Sequence, residues 1–164
     1  MQPGPIHKDL NALKWIIGKW GSIKAEGSFP TIESFKYCEE ISFTSVGQPV
    51  LNYSSLSWHP IKLNPMHLES GFLRVKPGTN QVSFMVAHNF GLTSLEEGCF
   101  TENKLEVKSS RIERMHFAKD PKVLEIVRTY ELLQDGNLEL ILSMSTTNTP
   151  LTQHLKVQYL KCLL

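Results

Sequence analysis

The histidines of this sequence have the clearest capacity for chemistry. There are six, and no two lie at the i, i+2 or i, i+4 spacing of paired metal ligands. A zinc site would therefore need ligands that converge in space from distant parts of the chain. Four histidines lack a surrounding motif and are interpreted as ordinary surface, loop or tail residues: His7, His59, His88 and His116.

His154, in "TQHL", lies on the last predicted strand, and its orientation has two interpretations. Its own face also carries Thr152, Lys156 and Gln158, whereas the opposite face carries leucine, valine and tyrosine. Strict alternation around an apolar interior would therefore point His154 to solvent. In a barrel that holds a ligand, the mixed face can instead be the inner one. A single neutral imidazole in an apolar cavity is what a five-coordinate haem iron requires.

Other sequence features give little support for catalysis. The pairs Glu39-Glu40 and Glu96-Glu97 are adjacent on predicted strands, so their side chains point to opposite faces and are interpreted as charged strand surface. The sequence contains no GxSxG, P-loop or GxGxxG motif, so nucleophilic and phosphate chemistry are not supported.

Length and composition are typical of one globular domain. We expect a tail over residues 1–8 and a single domain over 9–164. Lys+Arg number 17 against 16 Asp+Glu, which gives no electrostatic case for nucleic acid or membrane binding. We see no secretory signal. Three widely spaced cysteines suggest reduced thiols, so we expect a cytoplasmic protein, with the nucleus as a second compartment.

The elements that must position these residues are mostly strands. A short helix is expected from Asp9, as its cap, through Leu10, Leu13 and Ile17, with Gly18 as its stop. Beyond it, apolar residues recur with period two in about ten segments separated by short turns. One such turn is Asp135-Gly136.

This pattern predicts an all-β fold. We expect a ten-stranded antiparallel up-and-down β-barrel of the calycin or fatty-acid-binding-protein type, with a short N-terminal helix. A barrel of that width is not filled by its own side chains, so it should hold a small ligand. A β-sandwich is the competing fold.

Several stretches together resemble the nitrobindin family over residues 10–161. They are "LKWIIGKW", "SFPTIESFKYCEE", "VGQPVLNYSS", "PMHLESGFLRVKP", "MSTTNTP" and "TQHL". The likeness is closest to the animal form, which also occurs as the C-terminal domain of a THAP-type zinc-finger protein. One departure is the family's GxWxGxG motif, because Ser22 and Lys24 replace its second and third glycines. Trp20 of that motif either closes a barrel end or packs in the core.

The resemblance implies a ten-stranded barrel that holds haem b without covalent bonds, which agrees with the absence of CxxCH. It implies that His154 is the axial ligand and catalytic residue, with its second nitrogen donating to a backbone carbonyl or another acceptor. It also implies that four further residues contact the haem: Thr31, Met66, His67 and Met144. His67 would either hydrogen-bond a ligand or serve as a wall residue.

The activity implied by the resemblance is that of a ferric haem protein that binds nitric oxide and isomerises peroxynitrite to nitrate. No protein partner is indicated. One alternative is a carrier of a fatty acid or another apolar ligand, anchored by Arg128 and Tyr130. A further alternative is a nitric-oxide sensor without catalysis.

Overall fold

The computed structural model describes residues 5–162. A 3₁₀-helix, Lys8–Leu13, precedes the strands. The strands are β1 (Gly18–Phe29), β2 (Ile32–Lys36), β3 (Cys38–Ser45), β4 (Val50–Trp58), β5 (Pro65–Val75), β6 (Gln81–His88), β7 (Leu92–Phe100), β8 (Lys104–Arg114), β9 (Val123–Leu132), β10 (Leu138–Thr146) and β11 (Thr149–Lys161).

The sheet closes on itself as an antiparallel barrel. From β3 to β11 each strand pairs with the next, and β1 pairs with both β3 and β11. The ten-stranded barrel predicted from the period-two pattern is therefore confirmed, and the sandwich is excluded. The short strand β2 is additional, because it pairs with the second half of the long β1.

The N-terminal helix differs from the prediction in type and length. It is a 3₁₀-helix that ends at Leu13, before Ile17, and its N-cap is His7, whose Nδ1 accepts from the Asp9 amide at 3.3 Å. His7 thus lies at the start of this helix, and residues 1–4 of the expected tail lie outside the described residues.

Trp20 is buried within the main core, and its indole N–H donates to the carbonyl of Ile16 at 2.9 Å. It packs in the same cluster as the buried leucines of the helix. Trp20 therefore connects the segment around the N-terminal helix to the core of the barrel. Between residues 5 and 162, no helix has the length and apolar character needed to cross a membrane.

The interior of the barrel is divided into a packed half and a hollow half. The main core is filled by aromatic residues in mutual contact, including Phe43, Tyr53, Phe84 and Tyr130. A smaller cluster of Leu92, Ile126 and Leu142 lines the other half. The interior thus retains a cavity of about 350 Å³ beside that smaller cluster.

Candidate functional site

The cavity brings together residues from strands that are distant in sequence. Four of the five predicted contact residues line it: Met66, His67, Met144 and His154. The rest of the wall is largely apolar or aromatic, with Phe35, Tyr37, Phe90, Leu92, Val123, Ile126, Leu140, Leu142 and Leu155. Such a wall suits a largely apolar ligand.

Thr31 is the predicted contact residue that the structure does not bring into this wall. It is exposed, in the two-residue turn between β1 and β2, and lies outside the cavity lining. Its contact with haem stays a prediction. Phe35, on the strand that follows this turn, does reach the wall.

A β-bulge decides the orientation of His154. On β10, Leu142 pairs with Leu155, but the next residue, Ser143, pairs with Gln153. His154 is therefore the extra residue of the bulge and changes the alternation of β11. Val157 and Tyr159 point inward after the bulge, while His154 and Leu155 both line the cavity. Bulges commonly re-aim a side chain next to functional sites.

One ring nitrogen of His154 is hydrogen-bonded to the backbone. Nδ1 lies 3.1 Å from the carbonyl oxygen of Ser28, which can only accept, so Nδ1 carries the proton and donates. Burial lowers the pKa of His154 below its ordinary value of 6.5, although the Ser28 carbonyl acts in the opposite direction. The neutral ring therefore keeps a free electron pair on Nε2, as a metal ligand requires.

Two phenylalanine rings fix the plane of this imidazole. Phe29 contacts His154 edge to face with ring centroids 5.4 Å apart, and Phe35 does so at 6.2 Å. Phe35 lies directly over Gly27, where an added Cβ would fall 2.2 Å from the ring. Glycine at position 27 therefore leaves the space that Phe35 occupies beside His154.

A buried polar network, not recognised from the sequence, forms the wall at the packed half. Arg128 is 1% exposed and donates to Glu69 through both terminal nitrogens, at 2.7 and 3.1 Å. Its Nε donates to Glu96 at 3.0 Å. Tyr53 adds a hydrogen bond of 2.8 Å to Glu69. Two carboxylates therefore share one guanidinium.

The interpretation of the two glutamate pairs as charged surface is wrong for one member of each. Glu39 is 8% exposed and Glu96 is 1% exposed, because alternation sends one residue of each pair inward. The inner face accepts them because each has partners. Ser55 and Tyr159 both donate to Glu39 at 2.6 Å, and Ser94 donates to Glu96 at 2.7 Å.

The interpretation of His88 as a surface or loop residue is also wrong. It is 8% exposed and directly opposes Glu69 across β5 and β6. Its Nδ1 lies 3.1 Å from Glu69 and 3.2 Å from the Nε2 atom of His67. The spacing His67-x-Glu69, which places both side chains on one strand face, was the sequence signal that could have indicated this cluster.

Burial and neighbouring groups shift the pKa values of two buried glutamates, Glu39 and Glu69, in opposite directions. Burial raises the pKa of Glu39, and the hydrogen bonds from Ser55 and Tyr159 only partly oppose it. Burial would also raise the pKa of Glu69, but the charge of Arg128 holds it well below its ordinary value. Glu69 is therefore ionised, whereas Glu39 keeps its proton to a higher pH than an exposed glutamate does.

This network argues against the fatty-acid carrier alternative. Such a carrier would need Arg128 free to bind the ligand carboxylate, but Glu69 and Glu96 already occupy it. Tyr130 is buried in the main core and lies outside the cavity lining. The proposed anchor is therefore unsuitable.

The fold and site define a class: a closed antiparallel β-barrel that holds a largely apolar ligand beside one neutral imidazole. Comparison with known proteins agrees with this class. The family model for the THAP4-like, heme-binding beta-barrel domain matches residues 9–161. The chain therefore belongs to the THAP4-like haem-binding β-barrel family, and the resemblance to nitrobindins is confirmed.

Individual relatives support this membership. The chain is 44% identical over 161 residues to peroxynitrite isomerase THAP4 of Rattus norvegicus, covering 98% of this chain and 28% of that protein. It thus spans less than a third of that relative's length. Peroxynitrite isomerase Rv2717c of Arabidopsis thaliana is 36% identical, with 93% of this chain and 88% of the relative covered.

A solved structure confirms the fold. The crystal structure of Rv2717c from M. tuberculosis superposes with a TM-score of 0.88 at 30% identity, covering 97% of this chain and all of that one.

The residues of the cavity fit haem. Nε2 of His154 offers an electron pair that could bind the iron, and the wall is mainly apolar. The buried Tyr37 hydroxyl lines the cavity without a hydrogen-bond partner among the described residues. Burial raises its pKa, so this hydroxyl stays protonated and can donate to a polar group of a bound ligand.

Proposed function

We propose that this chain is a haem b protein that binds nitric oxide and isomerises peroxynitrite to nitrate. The observation that carries the proposal is the hydrogen bond from His154 to Ser28, because it leaves Nε2 as the free nitrogen in the cavity wall. The names of the relatives supply the reaction, since those from rat and Arabidopsis thaliana are both peroxynitrite isomerases.

The isomerisation conserves every atom and the net charge: an O–O bond breaks and an N–O bond forms. The site therefore need not supply a proton or an electron overall. When bound through one histidine, ferric haem supplies an iron with a free coordination position, which can bind an anionic peroxide and weaken its O–O bond.

The protein residues position and enclose this chemistry. Ser28 and the Phe29 and Phe35 rings fix the orientation of the His154 ring, which would hold the haem iron through Nε2. The apolar wall, which includes Leu142 and Met144, would exclude water and would slow the escape of a bound ligand. His67 directs Nε2 toward Glu69 and His88, so we assign it to the wall rather than to a ligand hydrogen bond.

The test is stopped-flow decay of peroxynitrite with the ferric protein, together with the yield of nitrated free tyrosine. We expect faster decay and less nitration than with the haem-free protein or with His154→Ala. Unchanged decay would remove the enzymatic part of the proposal and leave nitric-oxide sensing. Faster decay with undiminished nitration would show that radicals escape and that the protein is not an isomerase.

A further inference from the structure

We propose that His67, Glu69 and His88 form a second metal site, for a divalent transition-metal ion such as Zn²⁺, in the wall of the same cavity. This inference is independent of the peroxynitrite activity proposed above. The three residues are called the His–Glu–His triangle below.

The backbone places the three side chains on adjoining positions of one inner surface. His67 and Glu69 are two residues apart on β5, so they project to the same side. His88 on β6 pairs directly with Glu69. Ser57 anchors the His67 backbone, because its hydroxyl accepts from the His67 amide at 3.0 Å and donates to the His67 carbonyl at 3.2 Å.

The three ligand atoms form a nearly equilateral triangle. Nε2 of His67 and Oε1 of Glu69 are 3.1 Å apart, and Oε1 of Glu69 and Nδ1 of His88 are also 3.1 Å apart. The two nitrogens are separated by 3.2 Å. Ligands about 2.0–2.1 Å from a tetrahedral zinc ion lie about 3.3–3.4 Å from one another. The triangle therefore has nearly the size of one face of a zinc tetrahedron.

The contact between Nε2 of His88 and Ser94 leaves an electron pair on Nδ1 of His88, and this electron pair faces the triangle. Ser94 donates its only proton to Glu96 at 2.7 Å, so toward Nε2 of His88 at 3.3 Å it must accept. Nε2 therefore carries the proton, and in the neutral ring Nδ1 does not. This electron pair faces the ionised Glu69 at 3.1 Å. A histidine that ligates a metal is commonly oriented in this way through its other nitrogen.

The charges of the surrounding network also do not balance. Glu69 and Glu96 both pair with Arg128, so two carboxylates are balanced by one guanidinium and one negative charge is left over. An uncompensated buried charge is strongly unfavourable. A metal cation at the triangle would compensate it.

The position is also reachable from outside. The side chain of His67 is 38% exposed, whereas those of Glu69 and His88 are 7% and 3% exposed. All three line the cavity, so the fourth position of a bound ion would be open to it. Two histidines and one carboxylate with an open position resemble catalytic zinc sites.

Equilibrium dialysis of the haem-loaded protein against buffered Zn²⁺, followed by elemental analysis of zinc and iron, tests this proposal. We expect one zinc per chain in addition to the haem iron. His67→Ala should weaken zinc binding by about 100-fold or more, since even loss of an outer partner of a metal ligand costs 10–100-fold. The exposed histidine variant His116→Ala is the matched control and should bind zinc unchanged.

Zinc-edge X-ray absorption should show two imidazoles and a carboxylate at about 2.0–2.2 Å. If His67→Ala does not fold, as judged by circular dichroism and thermal melting, His67→Gln replaces it. Absence of stoichiometric zinc from the natural protein would overturn the proposal. Zinc binding unchanged by the His67 substitution would place the ion elsewhere and would also overturn it.

Discussion

The Nδ1 atom of His154 lies 3.1 Å from the carbonyl oxygen of Ser28, a residue 126 positions earlier in the chain. This hydrogen bond crosses the seam where the last strand of the barrel meets the first. Strand β1 pairs with β11 as far as Gly27, opposite Leu155. Closure of the barrel therefore selects the tautomer of the candidate iron ligand, and the site exists only in the closed fold.

Removing the His154 side chain should weaken haem retention. We expect His154→Gly to release haem to an apoglobin acceptor at least about 10-fold faster, because the axial imidazole is lost. Free imidazole added to the solution should restore both the axial ligand and the visible spectrum, since the glycine variant leaves room for it. His116→Gly is the control, because His116 is an exposed histidine outside the cavity lining. Unaltered iron coordination in His154→Gly, judged by resonance Raman spectroscopy, would contradict the assignment.

Haem retention should depend on pH in a defined direction. Protons compete with iron for Nε2, so haem is lost when His154 becomes protonated. Because burial lowers the pKa of His154 from 6.5, haem should be retained as the pH falls to that value and be lost only at more acidic pH. Haem transfer rates measured across this range check the prediction. Release that begins above pH 6.5 would show that the histidine is not protected by burial.

The barrel could be predicted from the sequence because its signal is local. Period-two alternation and short turns recur along the chain, and they are enough to indicate sequential antiparallel strands. The extra strand β2 was not separated from β3, because period-two alternation continues through Tyr37, the single residue between the two strands. Alternation alone could not choose the face of His154, because the bulge depends on how β10 pairs with β11.

The buried network could not be predicted because its partners are far apart in the chain. Arg128 lies 59 residues from Glu69 and 32 from Glu96, and each charge looks like an ordinary polar residue on its own strand. To predict these contacts one must know which residues pair across neighbouring strands, and only the closed barrel supplies that register. The same applies to His88, whose burial follows from its pairing with Glu69.

Arg128 should be essential to stability because it holds two buried carboxylates. Arg128→Met keeps most of the side-chain volume but leaves Glu69 and Glu96 without a cation, so we expect a loss of about 3–5 kcal/mol in the free energy of unfolding. Urea unfolding of the haem-free protein measures this loss. The exposed Arg111 provides the control, since Arg111→Met should change stability by no more than about 0.5 kcal/mol. A loss below about 1 kcal/mol for Arg128→Met would mean that the carboxylates find other partners.

Glu39 should make the protein less stable as the pH rises, and Glu39→Gln should remove this effect. Burial raises the pKa of Glu39 above its ordinary value of 4.5, so between these two values the folded protein keeps a proton that the unfolded chain has released. The free energy of unfolding therefore falls with increasing pH, by at most about 1.4 kcal/mol per pH unit from this group. Glutamine keeps the polar contacts to Ser55 and Tyr159 without titrating.

The measurement is urea unfolding of both proteins at several pH values from 4.5 upward. The stability of Glu39→Gln relative to the natural protein should increase steadily above pH 4.5 and then level off once Glu39 ionises in the folded state. Glu40→Gln is the matched control, because Glu40 is the adjacent residue, is half-exposed and pairs with Lys19 at 2.8 Å on the surface. It should show no comparable gain, since a solvent-exposed ion pair contributes little to stability. A constant difference between Glu39→Gln and the natural protein at every pH would show that Glu39 ionises equally in the folded and unfolded states.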